Sequence, residues 1–229
     1  IRVQNWFREP TDHFKVDQFV FADGSSLSAT DVENRVIYHG TNDADVLIGY
    51  RQSSETILLG DGDDFAWGRA GDDEIHGEAG NDYIEGEDGA DTLVGGAGDD
   101  QLDGGTGNDL MIGGTGNDRY VYTLGDGSDV IDNTGGGNDG IFFLGGIDAS
   151  RLSFSRDGND LLIQVDGDAA QSVRVLDHFL GGDKAISYVQ PDGGFLLSAT
   201  RIGHMVAAQG LEGNFATFSE GTAAGEQLV

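Results

Sequence analysis

An all-β fold assembled by repetition is what this sequence predicts, and three observations carry the prediction. Residues 59–121 divide into seven consecutive units of nine; every unit has Gly at its fourth place and Asp at its sixth; and every eighth place is apolar or aromatic. Strict spacing of this kind marks a stacked repeat. It sets aside the disorder that glycine and acid content alone would suggest.

The units read LGDGDDFAW, GRAGDDEIH, GEAGNDYIE, GEDGADTLV, GGAGDDQLD, GGTGNDLMI and GGTGNDRYV. Their fourth places are Gly62, Gly71, Gly80, Gly89, Gly98, Gly107 and Gly116. The sixth places are Asp64, Asp73, Asp82, Asp91, Asp100, Asp109 and Asp118, and the eighth run from Ala66 to Tyr120. Looser copies flank the run. GTNDADVLI at 40–48 supplies Asp45, an irregular ten-residue copy at 49–58 places Glu55 there, LGDGSDVID supplies Asp126 and Asp129, and TGGGNDGIF supplies Asp139.

Places one to six read as a turn, because glycine permits positive φ and lets carbonyls converge without side-chain obstruction. Places seven to nine read as a very short strand whose eighth residue points inward. One inward residue in nine is a thin core. The turns must therefore be closed by something else, and the repeated carboxylates suggest what. Carboxylate and carbonyl oxygens, with no His or Cys at the repeated places, select calcium over zinc, copper or iron, and magnesium would demand a tighter octahedron.

Composition points the same way. Formal net charge is −29, from 41 Asp and Glu against 12 Lys and Arg in 229 residues, with only Lys15 and Lys184 as lysines. Such a surface repels nucleic acid and anionic membranes and attracts cations. Residues 59–121 hold 17 carboxylates against Arg69 and Arg119, so the run repels itself without counter-ions. No cysteine is present, which removes disulfides and thiolate sites, and no apolar run reaches the roughly 18 residues of a membrane span. The five histidines are scattered, and HExxH, GxSxG and GxxxxGK[ST] are all absent. DGDD does not fit an EF-hand loop, which needs Gly at place six and Glu at twelve. Catalysis is not expected, since carboxylates in a metal ladder account for the Asp and Glu pairs.

The unit GGxGxDxUx resembles the nonapeptide of the RTX, or repeats-in-toxin, haemolysin-type calcium-binding family, closely over 59–121 and loosely over 40–142. The resemblance implies a parallel β-roll whose successive strands alternate between two facing sheets. It implies an ion between each turn and the turn two units later. The earlier turn would give the carbonyls of places two and four and its Asp; the later turn would give the carbonyls of places one and three and its Asp. Carried onto this chain, place one is Gly77, Gly86, Gly95, Gly104 and Gly113, and place two is Gly60, Gly96, Gly105 and Gly114. Place three is Ala79, Asp88, Ala97, Thr106, Thr115 and Asp126. Arg69, Glu78 and Glu87 depart from Gly at place two but would still offer carbonyls; Leu59 and the stretch 52–54 depart at the first turns. About five to nine calcium ions are implied.

The two ends of the chain resemble each other. IRVQNWF…VDQFVFADGSSLSAT at 1–30 aligns with VRVLDHF…ISYVQPDGGFLLSAT at 173–200, and LSFSRDGNDLLIQV reads as a hairpin before the second copy. Both resemble the haemolysin-type calcium-binding-related domain that accompanies RTX blocks. The expected organisation is a partial amino-terminal β cap at 1–39, a roll at 40–146, a carboxyl-terminal β cap at 147–202 and a tail at 203–229. Caps are needed because a solenoid must stop further strand addition. Phe65 and Trp67 are expected against the amino-terminal cap. Tyr122, Ile141, Phe142, Phe143 and Leu144 are expected to form the core of the carboxyl-terminal one. The tail reads either as a linker or, by its EQLV ending, as resembling the uncleaved signal of type I secretion.

The functional expectation is a calcium-binding module of a secreted bacterial toxin, adhesin or exoenzyme. It would be disordered without calcium and fold after export, as a monomeric part of a longer polypeptide with no nucleic-acid partner. The rival expectation is a segment that itself contacts a receptor, glycan or membrane; a third is the non-catalytic tail of an enzyme.

Overall fold

The computed structural model describes residues 18–20, 26–28, 37–50 and 54–209. Most of the amino-terminal cap read from sequence, and the tail beyond 209, lie outside them. An antiparallel pair, β1 (Gln18–Val20) and β2 (Ser26–Ser28), falls in that amino-terminal region.

The protein is an all-β roll of two parallel sheets. One sheet runs β4 (Val46–Ile48), β6 (Phe65–Ala70), β8 (Tyr83–Asp88), β10 (Gln101–Asp103), β12 (Arg119–Tyr122), β14 (Gly140–Phe143), β18 (Tyr188–Gln190) and β19 (Leu197–Ser198). The other runs β3 (Ile37–His39), β5 (Thr56–Asp61), β7 (Glu74–Ala79), β9 (Thr92–Ala97), β11 (Leu110–Thr115), β13 (Ser128–Asp132), β17 (Asp168–Val175), β16 (Asp160–Val165) and β15 (Leu152–Asp157). Successive units alternate sheets, so each strand pairs with the strand two units away: Ala66 lies beside Ile84, and Ile75 beside Leu93.

Strands are longer than the three residues expected. In β5 to β9 and β11 they run six, from place seven through place three of the following unit. The backbone keeps its ladder across places one to three, pairing Glu78 with Gly96 and Ala79 with Ala97. Only places four to six are left as the turn. The alternation of buried and open residues follows from the two-residue period of a strand: place eight points in, and so does the glycine at place one.

All seven eighth-place residues, Ala66, Ile75, Ile84, Leu93, Leu102, Met111 and Tyr120, are fully buried between the sheets. The core continues through Ile131, Ile141, Phe143 and Phe154 into Leu161, Ile163, Val173 and Val175. Of the five residues expected in the far core, Tyr122, Ile141 and Phe143 are there, the two rings 5.4 Å apart. Phe142 and Leu144 are not: strand alternation turns them outward, Leu144 is 37% exposed, and Phe142 lies 3.9 Å beneath the Arg119 guanidinium.

Beyond the roll, the DGND turn joins β15 to β16 as an antiparallel hairpin, and β17 brings that meander alongside β13. Helix α1 (Ala199–Gln209) crosses the boundary drawn at 203, burying Ile202 and resting Met205 and Val206 on the core. The helix was not expected in the tail, although the spacing Ile202–Met205–Val206 carries its signal in the sequence. No helix among the described residues is long and apolar enough to cross a membrane.

Candidate metal centre

The sixth-place residues form two columns, one at each edge where the chain passes between sheets. One column is Asp45, Asp64, Asp82, Asp100, Asp118 and Asp139, each entering the first sheet; the other is Glu55, Asp73, Asp91, Asp109 and Asp129, entering the second. The ten that follow Asp45 are all buried, none more than 4% exposed.

Within a column one carboxylate oxygen is tied down. The backbone N–H of Asp64 donates to Oδ1 of Asp82 (2.9 Å), that of Asp82 to Asp100 (2.8 Å) and that of Asp100 to Asp118 (3.1 Å). In the other column Asp73 donates to Asp91 (2.7 Å) and Asp91 to Asp109 (2.8 Å). The second oxygen is not tied down. Oδ2 of Asp64, Asp73, Asp82, Asp91, Asp100, Asp109 and Asp118 is buried with no hydrogen-bond partner. Burial of an unpaired carboxylate oxygen is strongly unfavourable, and it recurs in all seven clean units.

Beside six of these oxygens, from Asp73 to Asp118, the first-place glycine leaves room, whereas in the Asp64 unit the buried Leu59 stands there. A methyl on Gly77 would lie 2.3 Å from Asp82 Oδ2 and 2.4 Å from the carbonyl oxygen of Gly95; the figures at Gly95 are 2.3 Å to Asp100 Oδ2 and 2.6 Å to Gly113 O. Gly68 and Gly86 repeat the arrangement in the other column. The space is thus bounded by a carboxylate oxygen and a carbonyl oxygen from the turn two units on. The fourth-place glycine serves close approach: a methyl on Gly80 would sit 1.4 Å from Gly62 O. Third-place carbonyls of Ala79, Asp88, Ala97, Thr106, Thr115 and Asp126 accept from the fourth-place N–H two units earlier, at 2.6–3.0 Å. At place two, Arg69, Glu78 and Glu87 adopt the same positive φ (84°, 71° and 73°) as Gly60, Gly96, Gly105 and Gly114.

Burial is the main cause that lifts these carboxylates above their ordinary range, reinforced by neighbouring carboxylates and opposed by the amide bond from two units back. Asp91 and Asp100 are pushed up to about 7, and Asp82, Asp109 and Asp118 to about 6. Asp129 rises to about 8, first through burial and then through the charges of Asp109, Asp126 and Asp103.

The flanking carboxylates differ. Asp45 Oδ2 accepts from the N–H (2.6 Å) and Oγ1 (2.8 Å) of Thr41. Asp126 takes both the N–H and the hydroxyl of Thr123. Asp139 accepts from the Asp118 N–H at Oδ1 (2.8 Å) and from Asn133 Nδ2 at Oδ2 (2.9 Å). Asp129 is buried and accepts from the Asp109 N–H at 3.1 Å, but is not among the seven with an unpartnered Oδ2.

A second ladder, not expected from the sequence, runs along the fifth places. At place five, Asn81 N–H donates to the Asp63 side chain, Asp99 N–H to Asn81, and Asn117 N–H to Asp99, each at 2.8 Å. The signal was legible, since six of the seven clean units have Asp or Asn there.

The fit to a cation follows from the donor set. Among the described residues no three His, Cys, Asp or Glu side chains gather into a side-chain metal cluster, so a metal must also draw on backbone carbonyls. Hard oxygen donors of that mixture, with uncompensated negative charge, suit calcium.

Comparison with known proteins agrees with this donor set. Residues 51–84, 58–93 and 85–120 match the model of the RTX calcium-binding nonapeptide repeat (4 copies). Residues 1–31 match the haemolysin-type calcium binding protein related domain, on the copy read above as partial. Repeats of that first family bind calcium, and the buried aspartate ladder fits the ion. No curated protein matches the chain. One solved structure, the solution structure of the AlgE6R3 subunit from the Azotobacter vinelandii mannuronan C5-epimerase, aligns over 82% of this chain and 91% of that one, at 20% identity and a TM-score of 0.27.

Proposed function

We propose that this chain, which carries RTX calcium-binding repeats over 51–120, is a non-catalytic module of a secreted bacterial protein whose roll folds when calcium binds. One observation carries the reading: seven buried carboxylate oxygens, one per clean unit, lack any donor from the protein. Calcium supplies the positive charge that these oxygens need. The Asp side chains and the first-place carbonyls of the turn two units on would hold it, and the fourth-place glycines let the turns approach. Without it the columns repel themselves, so binding free energy becomes folding free energy. Affinities of roughly 10⁻⁴–10⁻³ M, usual for extracellular modules, would leave the chain unfolded where calcium is scarce and folded outside the cell. The flanking segments at 1–39 and 147–202 act as caps on the roll, and the chain works as a monomer.

Circular dichroism in chelator and in millimolar calcium tests this. At pH about 7.5 we expect the strand signal to appear only with calcium; equal strand content in both at that pH would overturn the reading. A second reading has one observation in its favour. Phe65, Trp67 and Tyr83 form a continuous aromatic surface on the outside of the first sheet, with ring centroids 5.9–6.2 Å apart and Phe65 46% exposed. Such a face suits a receptor or glycan, and binding of the isolated chain to cells or to a glycan array, lost on Trp67→Ala, would support it.

A further inference from the structure

Two residues after six of the seven eighth-place core residues, Ala66 to Met111, the inward place is glycine, and its missing side chain is what leaves the oxygen-lined space; after Tyr120 the buried Tyr122 stands there. A methyl on Gly68, Gly77, Gly86, Gly95, Gly104 or Gly113 would come within 2.2–2.6 Å of the Oδ2 of that unit's own Asp. The last turn before the meander breaks this rule. Asn133 stands two residues after the buried Ile131, is itself 2% exposed, and fills the space with an amide. Its unit is lengthened, so that Asp139 follows Asp118 by 21 residues instead of 18.

The amide meets the partners that an ion meets elsewhere. Nδ2 donates to Asp139 Oδ2 at 2.9 Å and lies 3.4 Å from the carbonyl oxygen of Ala185, in the next layer of the same sheet edge. That pair repeats the carboxylate-plus-carbonyl pair of Asp82 with Gly95 and of Asp100 with Gly113. Both partners are pure acceptors, which fixes the amide's orientation. The other end is held as well: Tyr120 donates its hydroxyl to Asn133 Oδ1 (2.8 Å) and accepts the Gly113 N–H (3.1 Å). At the opposite end of the column, the Thr41 N–H and hydroxyl meet Asp45 Oδ2.

We propose that Asn133 replaces a cation with its amide and so terminates the ion column: Asp139 serves the space toward Asp118 and holds no ion on the side of Ala185. This rests on calcium binding in the roll. Within the column, ions are then confined between Asp64 and Asp139, with a protein-made stop at each end.

The test counts and locates ions on the intact chain, by native mass spectrometry and by anomalous scattering from crystals grown in calcium. In the parent we expect ion peaks beside the unpartnered oxygens of the glycine-bearing units, Asp73 to Asp118, and none between Asp139 Oδ2 and Ala185 O. Asn133→Gly, which restores the glycine of the other units, should bind one ion more per chain than the parent. A peak on Asp139 Oδ2 in the parent overturns this inference alone. So does an Asn133→Gly chain that folds with calcium at an unchanged ion count. If that variant does not fold, the parent map still decides. A parent with no ions anywhere overturns the calcium reading, and this inference with it.

Discussion

Asp100 shows how much one residue is asked to do in this roll. Its Oδ1 accepts the Asp82 N–H, its own N–H reaches Asp118, and its Oδ2 has no partner. Asp100→Ala leaves a buried N–H unmet, at about 1–3 kcal/mol, and removes charge from the spaces on both sides. We expect the calcium midpoint of folding, followed by circular dichroism, to rise at least about tenfold, which corresponds to about 1.4 kcal/mol. Asp63→Ala, at the exposed ladder, should shift it far less, because Asn81 can turn to water when its partner is lost. Place two supplies the converse case. Arg69, Glu78 and Glu87 sit at positive φ, where a side chain costs about 1–2 kcal/mol and glycine itself loses about 0.5–1 kcal/mol in entropy. Each substitution to Gly should therefore stabilise the calcium-loaded chain by about 0.5–1 kcal/mol in thermal or denaturant unfolding.

At the scale of elements, the unit strand is a product of its neighbours. A six-residue strand with only two inward places, one of them glycine, has little to bury alone. Ile84 is the kind of residue on which the pair of sheets depends, being fully buried between β6 and β10. Ile84→Ala should cost about 2–5 kcal/mol, read as a loss in melting temperature at saturating calcium. The repeated places were legible from the sequence because a period of nine exposes both the inward residue and the carboxylate. What the sequence hid was relational. The length of β5 to β9 depends on pairing across places one to three, and the displacement of Phe142 on where alternation restarts after the lengthened turn at 133–139. The role of Asn133 required knowing that it takes a glycine's place and that Ala185, far along the chain, returns beside it.

For the whole molecule, the columns set a dependence on pH whose sign differs with and without calcium. An unfolded Asp titrates near ~3.9, while in the calcium-free roll Asp91 and Asp100 rise to about 7 and Asp82, Asp109 and Asp118 to about 6, chiefly through burial. A group raised in this way contributes its stability fully below the unfolded value and loses it as pH climbs through the folded one. In chelator, then, strand signal should grow as pH falls from about 7.5 to about 4.5. With calcium present, protons compete for the same oxygens, so the calcium midpoint should rise over that range. A flat response in chelator would mean that the carboxylates are not buried as a ladder.

Alternation of units between the two sheets gives the roll a parity. Excising 86–103, a matched pair of units, would shorten the stack by one rung of about 4.8 Å and leave both ends facing as before. Excising 86–94 alone would hand every later strand to the opposite sheet and swing the α1 end half a revolution away from the Phe65–Trp67–Tyr83 side. Growth or loss in steps of eighteen is therefore the change that such a molecule can absorb without reorienting whatever is joined to its two ends.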